Sequence, residues 1–327
     1  MNALIVSERG GPEVLKIERI DAPSPSSGEV LVKVEAAGVN FADTMQHRGT
    51  YPLKLETPYV AGMEAVGTIV DVGDDVEHSA PGDRVAVISF SGGAYAQFLA
   101  VPEALAFPVP ESMEAGSALS LLIQGLTAMA LLERAGGGAS GKTCLIHAAA
   151  GGVGLLAVQL AILQRACAVV AVVGSDEKVA RLKSLGAHRV INRRTQDWAD
   201  TMRREQIEFD LILDPVGQGI GEENLGALAS GGRLVNYGWL SGACPELSAE
   251  QTERKLFRNQ SFSGFAINVL LESHPTIVKG FWDFLVKCHE EGLLTPVVQN
   301  FDGLECVSQA HKIMEDGGHE GKLYIRI

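Results

Sequence analysis

What is scarce in this 327-residue sequence is cysteine, positive charge and uninterrupted apolar chain. The five cysteines (Cys144, Cys167, Cys244, Cys288 and Cys306) are scattered, with none in the first 143 residues and none in a CxxC pair. That excludes a disulfide framework and a cysteine-rich zinc lobe. Free thiols suit a reducing compartment. Lys and Arg number 27 against 40 acidic residues, a formal charge of −13, so the chain carries no basic footprint for nucleic acid or an anionic membrane. Glycines or charges interrupt every apolar candidate, and none reaches the roughly 18 to 20 residues that cross a bilayer. The opening MNALIVSERGGPEVL lacks the basic segment, apolar stretch and small-residue cleavage site of a secretory signal. A cytoplasmic protein without nucleic-acid or membrane partners is the expectation.

At roughly 100 to 200 residues per domain, the length fits about two folded units. The first 120 or so residues read as short strands and turns. Val30, Val32 and Val34 alternate with Leu31, Lys33 and Glu35, and turn signals stand at Asp74-Asp75 and Pro81-Gly82-Asp83. From Glu114 the texture becomes helical, up to the breaker GGGASG at 136–141. Strands then alternate with helices: 143–147, 168–173, 189–191, 209–213, 233–237 and 261–265 read as strands. Six strands separated by helices predict an α/β fold with an open, doubly wound parallel sheet. After about residue 268 the alternation stops. A sixty-residue tail is too small for a core of its own, so it is expected to complete the first unit and make that domain discontinuous.

The strongest local chemical signal is TCLIHAAAGGVG, residues 143–154. An apolar strand runs straight into small residues and a helix. Ala150, Gly151, Gly152, Val153 and Gly154 would form a tight turn that lets a pyrophosphate approach the free N–H groups of the helix. A helix-packing glycine cluster without ligand is the rival reading. The second strand ends VVGSDEK, with Gly174 and Ser175 at its tip, and Asp176 falls late enough to cap the next helix. Lys178 follows, and Arg193 and Arg194 lie beyond the third strand, where cations could reach a 2′-phosphate. The cofactor this favours is NADPH. Ordinary solvated charges are the alternative for these side chains.

These features, with GGPEVL, EVLVKVEAAGVNFADTMQHRGTYP, PYVAGMEAVGTIVDVG, PGDRV, KSLGAHRVIN, DPVG, GGRLVNYG and AHKIMEDGGHEGK, make the whole chain resemble the medium-chain dehydrogenase/reductase superfamily, and within it the zinc-free quinone oxidoreductases. The resemblance implies a GroES-like β-rich catalytic domain from residues 1–122 and 269–327, around a Rossmann domain of residues 123–268. Zinc-dependent members place a cysteine after a Gly-Val turn and a histidine in GHE. Here Asn40 follows Gly38-Val39, and Met63 stands in Gly62-Met63-Glu64. An amide and a thioether are not usual Zn²⁺ ligands, so no metal is expected and Glu64 reads as a structural partner.

Without a metal, the acceptor must take hydride readily and carry its developing charge on hydrogen bonds alone. A quinone or an α,β-unsaturated carbonyl compound does so, and catalysis would come mainly from positioning in a dry cleft between domains. By resemblance, Asn40 lies near the nicotinamide and substrate, with Tyr51 at the rim as a donor or proton source. Gln124 and Thr127 are placed beside the nicotinamide ribose, and Ser241, Gly242 and Asn268 along the cofactor's far side. Each has a structural rival: Asn40 could satisfy a buried turn, Tyr51 could be a packing aromatic, and Asp43 reads as a capping residue. Met45, where many relatives carry tyrosine, makes the pocket more apolar. His147 reads as structural, and Trp239 as a wall of the cleft. Enoyl-thioester reduction is the alternative activity, and a non-catalytic NADPH- or RNA-binding protein the alternative class. The resemblance also implies a homodimer paired through the strand near residue 263.

Overall fold

The computed structural model describes residues 1–218, 220–243 and 248–327, apart from the Arg254 side chain. Cys244 lies outside the described residues. The chain divides into two compact units, Met1–Gln124 with His274–Val286 and Pro296–Ile327, and Gly125–Ser273 with Lys287–Thr295.

The alternation at Val30, Val32 and Val34 buries those side chains in the first unit, with Lys33 exposed. Their strand, Glu29–Val39, is internal to a seven-stranded sheet. The order is Val298–Asp302, Lys322–Arg326, Glu29–Val39, Glu64–Val72, Arg84–Ile88 and Ala106–Pro108, while Phe98–Pro102 also pairs with Glu29–Val39. Only Val298–Asp302 and Lys322–Arg326 run parallel; the other pairs are antiparallel. A three-stranded sheet of Leu15–Arg19, Asn2–Val6 and Tyr59–Val60 accompanies it. One core joins Leu4, Val32, Ile69, Tyr95, Val307 and Ile325, so apolar residues from both parts of the sequence are buried together.

The six strands of the second unit are Thr143–Ile146, Ala168–Val173, Arg189–Asn192, Phe209–Asp214, Leu228–Asn236 and Ser261–Gly264. All pairs are parallel, in the order third, second, first, fourth, fifth, sixth. This is the doubly wound arrangement the alternation predicts. The second and fourth strands are buried along almost their whole length, as in a sheet covered on both faces. Ser261–Gly264 is the strand at one edge.

Two features differ from the sequence reading. Residues 269–273 and 287–295 group with the second unit: Leu270 and Leu271 are buried, and the Gln159 side chain clasps Thr295, donating to its carbonyl at 3.2 Å and accepting from its N–H at 2.8 Å. Loss of βα alternation marks the end of the sheet strands, and chain that packs on the sheet unit extends past it. Second, Ala115–Ala135 is a continuous 21-residue helical run, long and apolar enough to cross a bilayer, of which 83% of the most apolar stretch is buried inside the protein. Gly and Gln interrupt the sequence there without interrupting the helix, and its burial is that of a core helix.

Candidate active site

The first strand of the parallel sheet delivers the glycine turn. Ala148 adopts a left-handed conformation (φ 48°), a strained backbone for a residue with a Cβ. Its carbonyl accepts from Gly151 N at 2.9 Å. The helix Gly152–Leu163 starts at once, with Gly151 as an extended N-cap and no side chain capping it. Helix geometry leaves the first N–H groups without intrahelical partners, so Gly152, Val153 and Gly154 present donors where an anion is favoured. A Cβ on Gly154 would lie 2.6 Å from both Ala148 O and Ala149 Cα. Only glycine lets helix and turn pack this closely. Ala150 is buried beside them.

The adjoining tips of the second and third strands bring Gly174 and Arg193 together. Val173 pairs with Asn192, Arg193 N donates to Val173 O at 2.9 Å, and its Nε lies 4.0 Å from where a Gly174 Cβ would be. Arg193 is exposed, while Ser175 and Lys178 are half-buried. Asp176 occupies the N-cap position of the helix Glu177–Ser184 without capping it. Its Oδ1 instead accepts from Asn192 Nδ2 at 2.9 Å, which corrects the expected capping role: a side-chain amide on the neighbouring strand outcompetes the helix N–H groups.

The loops after the fourth and fifth strands are laced together. Leu240 N donates to Pro215 O at 2.9 Å, Ser241 N to Val216 O and Gln218 N to Ala243 O, each at 3.0 Å. Gly217 (φ 87°) lies under Trp239, whose Cα is 3.2 Å from where a Gly217 Cβ would sit. Ser241 and Gly242 are exposed on this loop pair, and Asn268 is half-buried at the start of Ile267–Ser273. Buried Asp214 organises the turn: Oδ1 accepts from Val216 N at 2.6 Å, and Oδ2 from Asn224 Nδ2 at 3.2 Å. Asn224 Oδ1 in turn accepts from His147 Nε2 at 2.7 Å. Burial pushes His147 down to about 4, so the ring is neutral, and it packs edge-on to Trp198. These are structural contacts. Thr127 is buried in this unit, and Gln124, at the end of the other, has a buried Oε1 without a protein partner in the π-helical turn Ser120–Gly125.

In the first unit, three strand ends converge on Asn40. The register pairs Leu323 with Val39 and Ala65 with Ala37, which sets Lys322, Asn40 and Glu64 at one end of the sheet. Asn40 Nδ2 donates to Glu64 Oε1 at 2.8 Å. Lys322 Nζ donates to Asn40 Oδ1 at 2.8 Å and also to Glu64 Oε1, while Glu64 Oε2 accepts from Ile123 N at 3.2 Å. Lys322 and Glu64 are fully buried and Asn40 is 6% exposed. Gly38 makes room, since a Cβ there would lie 2.8 Å from Glu64 Cγ.

Asn40 also opens the helix Phe41–Arg48, and Asp43 Oδ2 accepts from its N–H at 2.8 Å, the expected capping use. Burial pushes the Asp43 carboxyl up to about 7, against the opposing pull of that hydrogen bond and of Lys322. Beyond it, the buried Tyr95 hydroxyl lies 3.2 Å from Gly38 O and 3.1 Å from His311 Nε2, and His311 stacks on His47 at 5.3 Å. Gly49 ends the helix at φ 72°, and Tyr51 N returns to Met45 O at 3.2 Å. Burial and the Asp43 charge hold the Tyr51 phenol above its ordinary range. Met63 is buried.

Asn40 and Asp43 thus open one helix, and Tyr51 lies just past its end. The residues missed by the sequence reading are Lys322, Tyr95 and His311. Only the GHEGK segment hinted at Lys322, and nothing in it signals an inward-facing charge. Among the described residues no group of three or more His, Cys, Asp or Glu could hold a metal ion.

Comparison with known proteins matches residues 26–111 to the alcohol dehydrogenase GroES-like domain and residues 152–286 to the zinc-binding dehydrogenase domain. The quinone oxidoreductase of Rattus norvegicus is 32% identical over 99% of this chain and 97% of its own. Prostaglandin reductase-3 of Mus musculus is 31% identical over 93% and 83%. Among solved structures, Pseudomonas syringae quinone oxidoreductase superposes with a TM-score of 0.92 at 28% identity, covering 100% of this chain and 99% of that one. The Escherichia coli quinone oxidoreductase complexed with NADPH gives 0.92 at 26%, covering 100% of both. With its glycine turn, its strand order and this full-length similarity, the chain belongs to the quinone oxidoreductase family of the medium-chain dehydrogenase/reductases.

Proposed function

We propose that the chain is an NADPH-dependent reductase that transfers hydride to a quinone or an α,β-unsaturated carbonyl compound without a metal. The observation that carries this reading is the buried Asn40–Glu64–Lys322 group. The zinc implied by the name of one matched domain does not fit these residues. An amide and a thioether stand at the two expected ligand positions, and the Glu64 carboxylate is already taken by Asn40, Ile123 and Lys322.

NADPH does fit. The uncapped helix amino terminus at Gly152–Gly154 suits the pyrophosphate, and the unpartnered Gln124 Oε1 suits a ribose hydroxyl. Gly174 and Ser175, with Lys178 and Arg193, would hold the 2′-phosphate end. Thr127 would join Gln124, and Ser241, Gly242 and Asn268 the remaining length. When bound, NADPH supplies the hydride. The chain's own part is to orient the acceptor and to meet the charge that gathers on its oxygen, through a hydrogen bond from the Asn40 amide and a donor at Tyr51. Relatives named quinone oxidoreductase and solved structures with NADPH support the cofactor and acceptor class, and the prostaglandin reductases support acceptors beyond quinones.

The test is NADPH oxidation by purified protein against a panel of quinones, free enones and an enoyl-CoA, with and without chelator. Acceptor-dependent turnover unchanged by chelator is expected. No turnover with any acceptor, or turnover that requires added zinc, refutes the proposal. We further propose a cytoplasmic homodimer paired through the edge strand Ser261–Gly264, which the helix Ala249–Phe257 precedes in the chain with Leu256 and Phe257 74% and 79% exposed. A solution mass of one chain by light scattering would overturn the dimer.

A further inference from the structure

A carboxamide has two N–H donors and one acceptor oxygen. In Asn40 one of those hydrogens goes to Glu64 Oε1 and the oxygen accepts from Lys322. A carboxylate only accepts and an ammonium only donates, so the amide has a single orientation here. Turned over, it would set N–H against the ammonium and C=O against the carboxylate. One Nδ2 hydrogen is then left to point away from both charged partners.

We infer that Lys322 is a positioning residue, which with Glu64 locks the Asn40 amide so that its second Nδ2 hydrogen is the donor offered to the acceptor's oxygen. This rests on the reading of Asn40 as the substrate's hydrogen-bond donor. Stability alone gives a weak account of the arrangement, because a buried ion pair is commonly replaceable by neutral groups without loss. Two opposite charges gripping the two ends of one amide do what neutral side-chain amides or hydroxyls, which both donate and accept, do not: they remove its rotational ambiguity and polarise the N–H that remains. The built-in cation therefore acts on the amide, one hydrogen bond away from the substrate, where a metal would act on the substrate directly.

The experiment is steady-state turnover of NADPH-saturated enzyme in four forms: wild type, Asn40→Ala, the neutral pair Lys322→Met with Glu64→Gln, and the triple variant. The neutral pair strands neither charge, so a purely structural role predicts a wild-type kcat in the folded protein whatever its melting temperature. Positioning predicts near wild-type melting and an unchanged KM for NADPH, but a kcat lowered about tenfold or more, the scale of losing an oriented donor. It also predicts that Asn40→Ala and the triple variant have the same kcat, since Lys322 acts through Asn40. A neutral pair with wild-type kcat, or a triple variant whose loss is the product of the other two, overturns the inference while leaving the role of Asn40 intact. Wild-type kcat in Asn40→Ala instead overturns the donor reading on which it stands. If the neutral pair does not fold, Lys322→Gln with Glu64→Gln decides: two carboxamides can each donate or accept and so let the Asn40 amide turn, so lowered kcat with unchanged KM for NADPH is expected, and unchanged kcat refutes the lock.

Discussion

Replacing Gly154 by alanine tests whether the close approach of helix to strand turn holds the cofactor site. The added Cβ would lie 2.6 Å from Ala148 O, 2.6 Å from Ala149 Cα and 2.8 Å from Ala149 C. Carbon contacts are comfortable at about 3.5–4.0 Å, and all three obstacles are backbone, so no side chain can rotate away. The helix amino terminus must move by roughly 1 Å. Overpacking of this kind costs about 1–3 kcal/mol, which at about 2–4 °C per kcal/mol for a unit of this size lowers the melting temperature by several degrees. The same displacement carries the anion-binding N–H groups with it, and NADPH affinity should fall on the order of tenfold to hundredfold. Gly151→Ala is the internal control. Its Cβ would meet Ala148 O at 3.3 Å, from an ordinary extended backbone, so about 1 kcal/mol or less is expected. Thermal melting and a fluorescence titration with NADPH read both effects. A Gly154→Ala protein that melts and binds like wild type, or a larger loss in Gly151→Ala, refutes the close-packing argument.

Arg193→Ala should raise KM for NADPH about tenfold while leaving NADH little changed, as loss of a phosphate-binding cation does; equal changes for both cofactors would place the 2′-phosphate elsewhere. Asp43, pushed up to about 7 from 3.8, binds a proton in the folded chain that the unfolded chain has released. Its contribution is therefore present below about pH 4 and lost as pH rises through about 7. Asp43→Asn should gain on wild type in melting temperature between about pH 5 and 8, and parallel profiles would contradict the raised value. His147 and His311, pushed down to about 4 and about 3 by burial, act in the opposite sense, losing stability as pH falls below about 6.5, and cancel in that comparison. His147→Ala should cost about 2–4 kcal/mol through its lost Asn224 bond and Trp198 contact, with kcat of the folded enzyme unchanged; a collapsed kcat would make the ring catalytic.

Local signals carried the second unit. Apolar strands such as Ala168–Val173 recur at regular intervals, and a parallel sheet follows from strands alternating with helices. The glycine turn was legible because short-range sterics dictate it: small residues between a strand and a helix have few other uses. Lys322 was illegible for the opposite reason. Its environment comes from the pairing of Lys322–Arg326 with Glu29–Val39 and from the end of Glu64–Val72, and no local pattern encodes a register set across the chain. The same holds for Tyr95 meeting His311 and for Gln159 meeting Thr295, where one side chain decides which unit a segment joins. Asp176 failed on a finer point, since a lone Asp before a helix resembles a cap until its strand neighbour Asn192 is known.

The strand Lys322–Arg326 is internal to its sheet, and its bonds to Asn40 and Glu64 span 282 and 258 residues. Such contacts cannot form on a ribosome until everything between them has emerged. The parallel sheet, whose strands lie between Thr143 and Gly264, can close earlier, because domains fold as units during synthesis. The amino-terminal strands, although made first, must wait with the edge of Glu29–Val39 unpaired, a condition that invites aggregation. The unit bearing Asn40 is thus completed last, and a nonsense change just ahead of Gly321 would leave the parallel-sheet unit whole while removing an interior strand and the only ammonium that Asn40 contacts among the described residues.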